Sequence, residues 1–248
     1  MLGELYKPKG LARETAQTVL EVEEPYACNV AWGCSNGCSY CYGPKVGKQS
    51  RESWIQVRYP KKSPYELVQH QLMQGKINPQ GVFISFMTDP FLPETCTSAL
   101  IAMLRDKGIR VATLSKLDVS PFHHIRHGVT IASLGYSFHD RYEPNTLPAY
   151  KRLRFLQAAK DRGDFVWVSM EPYPPSTIHK QNLPRLLEEL KFVDLIIFGK
   201  WNYDSRARTE LAKQEYEEEI NVLRKFGRKH NIRVHIKTDT LKFIGEQI

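Results

Sequence analysis

Three of the chain's five cysteines fall within eight consecutive positions, in Gly33-Cys34-Ser35-Asn36-Gly37-Cys38-Ser39-Tyr40-Cys41-Tyr42. This C-x3-C-x2-C array sits among turn formers, so one loop can wrap its sulfurs around a metal centre. A four-iron, four-sulfur (4Fe-4S) cluster takes four ligands, and thiolates are the usual ones. Three close cysteines leave one iron open to a substrate or cofactor unless a distant residue closes it. The other thiols are poor closers, since Cys28 lies inside a predicted strand and Cys96 opens a predicted helix. His123, His124 and His127 are further candidates for a fourth ligand, although histidines on a short segment are ordinarily surface residues. A structural zinc site would show four ligands, often as two knuckles. No second Cys-x2-Cys or Cys/His pair is present; zinc stays open as the alternative.

Five cysteines in 248 residues are too few for a disulfide scaffold, and their clustering suits a reducing compartment, the cytoplasm. No apolar run approaches the roughly 18 residues that would cross a bilayer, which argues against a membrane partner. The net charge is +8, with basic groups at 7–13, 45–51, 58–62, 151–154 and 224–229. An anionic partner would suit that charge, and so would ordinary solvated faces.

The elements that must hold the loop alternate. Short β-branched or aromatic runs at 26–31, 82–87, 109–114, 129–134, 165–170, 195–198 and 232–236 read as strands. Amphipathic segments at 64–74, 94–107, 147–162, 183–191 and 209–229 read as helices, several ending near a glycine. A further short helix is expected over 120–127. Without repeats or a linker, the chain reads as one α/β domain spanning 1–248, with a core of about 25–236 and a short N-terminal extension, 1–24. Strand-helix alternation predicts a parallel sheet, either open and doubly wound or a full or partial barrel. In such folds functional groups gather at the C-terminal ends of the strands.

The cysteine spacing, with Tyr40 before the last cysteine and the loop after the first strand, resembles the radical S-adenosylmethionine (radical SAM) superfamily. A second stretch, Thr88-Asp89-Pro90-Phe91-Leu92-Pro93-Glu94, is similar to the T-D-P-(aromatic)-x-P-x-E signature of its spore-photoproduct-lyase-like branch. The resemblance covers about 25–236. It implies a partial (β/α)6 TIM-type barrel with the cluster at the C-terminal ends of the strands. It also implies an enzyme, lyase-like or nucleic-acid-modifying, whose 4Fe-4S cluster reductively cleaves S-adenosylmethionine. The resulting 5′-deoxyadenosyl radical abstracts hydrogen from substrate.

The resemblance further implies roles for individual residues. Cys34, Cys38 and Cys41 would be the cluster ligands, and Tyr40 would pack beside cluster and cofactor. Thr88, Asp89, Ser115 and Glu143 would contact the cofactor. A cysteine returns a hydrogen atom to the product radical in the branch's lyase, and Cys96 is the candidate here. Glu171, Lys200, Trp201 and Asn202, at the ends of late strands opposite the cluster, are candidate substrate contacts. The implied partners are a small-molecule or nucleotide/nucleic-acid substrate and an electron donor of flavodoxin or ferredoxin type. Unlike that lyase, the chain is short, and no separate domain for gripping a DNA duplex is evident. The competing reading is a non-catalytic, basic nucleic-acid-binding protein with a structural metal.

Overall fold

The computed structural model of the chain describes residues 2–92, 95 and 97–247. Eight strands form one sheet in chain order: β1 (Leu5–Tyr6), β2 (Tyr26–Cys28), β3 (Gly81–Ile84), β4 (Arg110–Ser115), β5 (Arg126–Thr130), β6 (Phe165–Tyr173), β7 (Leu195–Lys200) and β8 (Arg233–Ile236). β1 pairs antiparallel with β2; every later pairing is parallel. The sheet is not closed. It therefore holds two more strands than the six of the expected barrel, one at each end: the short β1 and β8.

The helices are α1 (Gly10–Leu20), α2 (Gly43–Val46), α3 (Arg51–Trp54), α4 (Pro64–Met73), α5 (Thr97–Asp106), α6 (Tyr136–Tyr142), α7 (Ala149–Asp161), α8 (Leu183–Glu188), α9 (Glu210–His230) and α10 (Thr238–Ile244). Local chemistry sets several of their ends. Ser63 and Glu66 form a reciprocal capping box at the start of α4. Thr209 caps α9, which ends on Asn231 in the left-handed conformation.

Strand alternation sorts the side chains into an outer and an inner set. Val82, Ile84 and Val111 face outward under α4 and α5, while Val166, Val168, Met170, Ile196 and Phe198 face outward under α7, α8 and α9. Ala27, Phe83, Ala112, Trp167, Leu195 and Ile197 face inward. Gly128 is where the inner wall must be thinnest: a Cβ there would lie 2.2 Å from the Trp167 ring and 2.6 Å from the Thr113 carbonyl oxygen.

Residues 2–24 pack against this barrel and do not extend away from it. Ala16, Val19 and Leu20, spaced to share one face of α1, pack on the inner apolar set. At the far end of α1, Arg110 donates to the carbonyls of Leu20 and Glu21, and Arg126 donates to Val19 O at 2.7 Å. Arg126 and Arg233 also flank the Glu21 carboxylate. Cations on the last turn suit the helix dipole, so these arginines are structural. Near the other end of α1, Glu14 accepts from His235 and from Thr238, and Lys237 donates to Leu11 O and Thr15 Oγ1.

The helix expected over 120–127 does not form. β5 starts at Arg126, because His127 is the strand's buried partner for Asp164, at 3.4 Å, and the His124 N–H donates to the same carboxylate. No helix among the described residues is long and apolar enough to cross a membrane.

Candidate functional site

Cys34, Cys38 and Cys41 lie on the loop that leaves the C-terminal end of β2, on the face where the loops after β3 to β8 also emerge. The loop is pinned from several sides. Trp32 and Arg58 exchange backbone hydrogen bonds at 2.9 Å. The Cys34 N–H donates to Trp54 O at 3.0 Å, the Ser39 N–H donates to Tyr142 O at 3.0 Å, and the Arg51 guanidinium donates to Cys38 O at 3.1 Å. Gly33, with φ of +94°, passes so close that a Cβ would lie 2.5 Å from Trp54 O; only glycine fits there.

The donor set suits a thiolate-bound iron-sulfur cluster. Backbone N–H groups of Asn36 and Asp89 reach the Cys34 sulfur, and the Gly43 N–H lies 3.3 Å from the Cys41 sulfur. Hydrogen bonds of this kind tune cluster thiolates. Burial pushes the free Cys34 thiol up to about 12 and Cys38 up to about 11. Metal binding at these two must therefore displace protons. Among the described residues no three His, Cys, Asp or Glu side chains are grouped as a single ion would need. Cluster ligands each take a separate iron and need no such convergence on one point.

Asp89 anchors the β3 loop to the cysteine loop. Its Oδ2 accepts from Asn36 Nδ2 at 3.0 Å and from the Lys116 N–H at 2.8 Å; its Oδ1 accepts from Ser115 Oγ at 2.7 Å and the Phe91 N–H at 3.1 Å. Four donors fill the roughly four lone-pair sites of a carboxylate. Ser115 is engaged as well, since its Oγ also accepts the Leu117 N–H. By contrast, the hydroxyls of Thr88 and Ser85 are buried with no hydrogen-bond partner among the described residues. Such groups are costly unless a ligand meets them.

Glu143 is 3% exposed and takes hydrogen bonds from the Tyr40 hydroxyl and the Arg152 guanidinium. Burial pushes its carboxyl up, but Arg152 and Lys116 outweigh this and hold it below the ordinary range. Arg152 also donates to Thr130 O, Leu147 O and Thr146 Oγ1, so with Glu143 four of the five N–H groups of this buried guanidinium are engaged. Tyr40 lies inside the cysteine array, and the pair therefore sets where that loop stands. Lys116 Nζ lies 5.5 Å from the Tyr40 ring centre and within electrostatic reach of Cys38, Cys41 and Glu143.

The late-strand candidates divide. Trp201 is buried against Tyr40, Phe138 and Tyr142, as part of the core under the cysteine loop. Lys200 and Asn202 bond each other and Asp239. Glu171 has no hydrogen bond or ion pair among the described residues. Cys96 lies outside the described residues, as do Pro93 and Glu94 of the T-D-P signature. Cys28 is buried in β2, its thiol pushed up to about 12 by burial, and is inert packing. His123, His124 and His127 stand at the N-terminal end of β5, away from the cysteines.

Asn36 carries weight that sequence reasoning did not assign. It lies between the first two cysteines, a position that could have flagged it.

No protein-family model matches the chain. An uncharacterized protein of Acidianus two-tailed virus is 23% identical over 88% of this chain and 81% of the viral protein. Among solved structures, spore photoproduct lyase complexed with dinucleoside spore photoproduct matches with a TM-score of 0.60 and 14% identity, over 86% of this chain and 76% of the lyase. A double mutant of that lyase with bound AdoMet and the same dinucleoside gives 0.59 at 14% identity over the same shares. Streptococcus suis SuiB bound to S-adenosylmethionine gives 0.53 at 10% identity, over 85% of this chain and 45% of SuiB. The chain has the open α/β barrel fold of these proteins.

Proposed function

We propose that this chain is a radical SAM enzyme of the spore-photoproduct-lyase-like branch, with Cys34, Cys38 and Cys41 as the ligands of a 4Fe-4S cluster. One observation carries the reading. A loop bearing three thiols stands at the C-terminal end of β2, and Asp89 ties it to the T-D-P loop after β3. The shared fold and the S-adenosylmethionine bound by two of its neighbours support it.

When bound, the cluster and S-adenosylmethionine supply a 5′-deoxyadenosyl radical that takes a hydrogen atom from the substrate. The chain's own residues bind and orient. The unpartnered hydroxyls of Thr88 and Ser85 are placed to take the polar end of the cofactor, and the Lys116 ammonium suits a carboxylate. Asp89, Ser115 and Glu143 act as positioning residues, holding the cysteine loop through Asn36 and Tyr40. Trp201 and Phe138 back the loop and exclude water beneath it.

The substrate class is anionic, a nucleotide or nucleic acid, a reading supported by the net charge of +8 and by the dinucleoside bound in the lyase. An electron donor of flavodoxin or ferredoxin type, in the reducing cytoplasm, completes the requirements. Anaerobic reconstitution followed by iron and sulfide analysis tests the metal. About four irons and four sulfides per chain are expected for one such cluster. Replacing any one of the three cysteines with alanine should lower both, whereas Cys28→Ala should not. One zinc per chain without iron or sulfide would overturn the reading in favour of a structural metal.

A further inference from the structure

Among the acidic side chains toward the C-terminal ends of the strands, Asp89 accepts four donors, Glu143 is bonded to Tyr40 and Arg152, and Asp239 lies 3.5 Å from Lys200 Nζ. Glu171 is different. It follows Trp167 and Ser169 on the inward-facing positions of β6, and its side chain crosses β7 at Gly199. A Cβ at position 199 would come within 2.8 Å of Glu171 Cγ and Cδ, so glycine there makes room for this carboxyl. Burial pushes the carboxyl up; Lys237 and Lys200 pull it down, Asp239 and Glu14 push it up, and the net direction is upward. The carboxyl is half-buried and, among the described residues, has neither a hydrogen bond nor an ion pair, so it is free to meet a ligand.

Two tyrosines and a lysine stand at the same end of the barrel as Glu171. Tyr42, directly after the last cysteine, is 41% exposed and within electrostatic reach of both Glu171 and Tyr203. Tyr203 is 52% exposed in a left-handed conformation, with Lys45 Nζ 4.2 Å from its ring centre. Exposed rings take a flat π-face, a neighbouring ammonium takes a phosphate, and a carboxyl set further inside takes an N–H edge.

We propose that Glu171 is the specificity-determining residue for the substrate, hydrogen-bonding the N–H edge of an unpaired nucleobase that stacks at the Tyr42 and Tyr203 lip. The base must be unpaired, because a base in a duplex has already committed its pairing edge and cannot reach inside the barrel. This rests on the radical-enzyme reading only in taking this end of the barrel as the substrate side.

Fluorescence anisotropy on the full, reconstituted chain tests it, with iron and sulfide counted beforehand. The probes are a thymidine DNA octamer, a uridine RNA octamer and an abasic octamer carrying the same phosphates. At least one base-bearing octamer should bind about tenfold or more tightly than the abasic one, with the DNA and RNA arms separating the two sources. Glu171→Leu should cut that preference to about threefold or less while leaving abasic binding unchanged. Tyr203→Ala, at a position 52% exposed, should do the same. Equal binding of all three octamers by the unsubstituted chain overturns the proposal, as does a base preference that survives both substitutions. A chain that takes up no cluster but shows the preference overturns the radical-enzyme reading alone.

Discussion

Arg152→Met puts a shorter, uncharged side chain in place of the guanidinium at a site 1% exposed. It strands the Glu143 carboxylate, 3% exposed, with only Tyr40 and the more distant Lys116 for company. Breaking a buried pair from one side costs about 3–5 kcal/mol, because the remaining charge is uncompensated. The carbonyls of Thr130 and Leu147 and the Thr146 hydroxyl also lose their guanidinium donor, so the upper end of that range is expected. For a chain of this size that corresponds to roughly 10–20 °C in melting temperature. Urea unfolding of the unsubstituted chain, Arg152→Met, Glu143→Gln and the double variant separates the terms. The double variant carries no charge at either position of the pair and should recover about half of the loss, leaving roughly 2 kcal/mol from the orphaned acceptors. A single variant that costs less than about 1 kcal/mol, or a double variant no more stable than the single one, would refute a charge-dominated account.

Three further outcomes follow from the same geometry. Gly128→Ala forces a Cβ against Trp167 and the Thr113 carbonyl and should cost about 1–3 kcal/mol or more by thermal melting. A melt unchanged from the parent would mean the inner wall has room to spare. Burial pushes His127 down to about 4, against the pull of Asp164, so the unfolded chain binds its proton first. Stability should then fall as pH drops from about 6.5 toward 4, by on the order of a few kcal/mol, and His127→Gln should flatten that slope. Burial raises Glu14, but His235, Lys237 and Thr238 outweigh it and hold the carboxyl at about 2. Its contribution, up to about 3 kcal/mol, should be complete above pH ~4.5 and lost as pH falls through 2. Glu14→Gln should remove it, while unchanged acid unfolding in that variant would show that α1 does not rely on this contact.

The cysteine array and the seven longer strands were legible because both are local signals, spacing in one case and runs of β-branched residues in the other. The N-terminal segment was not. Its two-residue β1 has no periodicity to detect, and α1 takes its place from Phe83, Trp167 and three arginines, far away in sequence. Asp89 was picked out correctly as a residue of the site, but only the fold shows that its lone pairs are filled by Asn36, Ser115, Phe91 and Lys116. Trp201 reads in sequence as a rim residue, yet the ring turns under the loop to pack on Tyr40. The segment 120–127 has helical length and an apolar face, but Asp164, about forty residues away, recruits His127 into a strand.

If Cys34, Cys38 and Cys41 hold a 4Fe-4S cluster, the chain should cleave S-adenosylmethionine reductively. The most direct test measures 5′-deoxyadenosine by chromatography after anaerobic incubation of the reconstituted chain with dithionite and S-adenosylmethionine. 5′-Deoxyadenosine is expected from the unsubstituted chain and none from Cys34→Ala, Cys38→Ala or Cys41→Ala. A cluster-loaded chain that releases none, or a Cys38→Ala chain that releases as much as the parent, would contradict it.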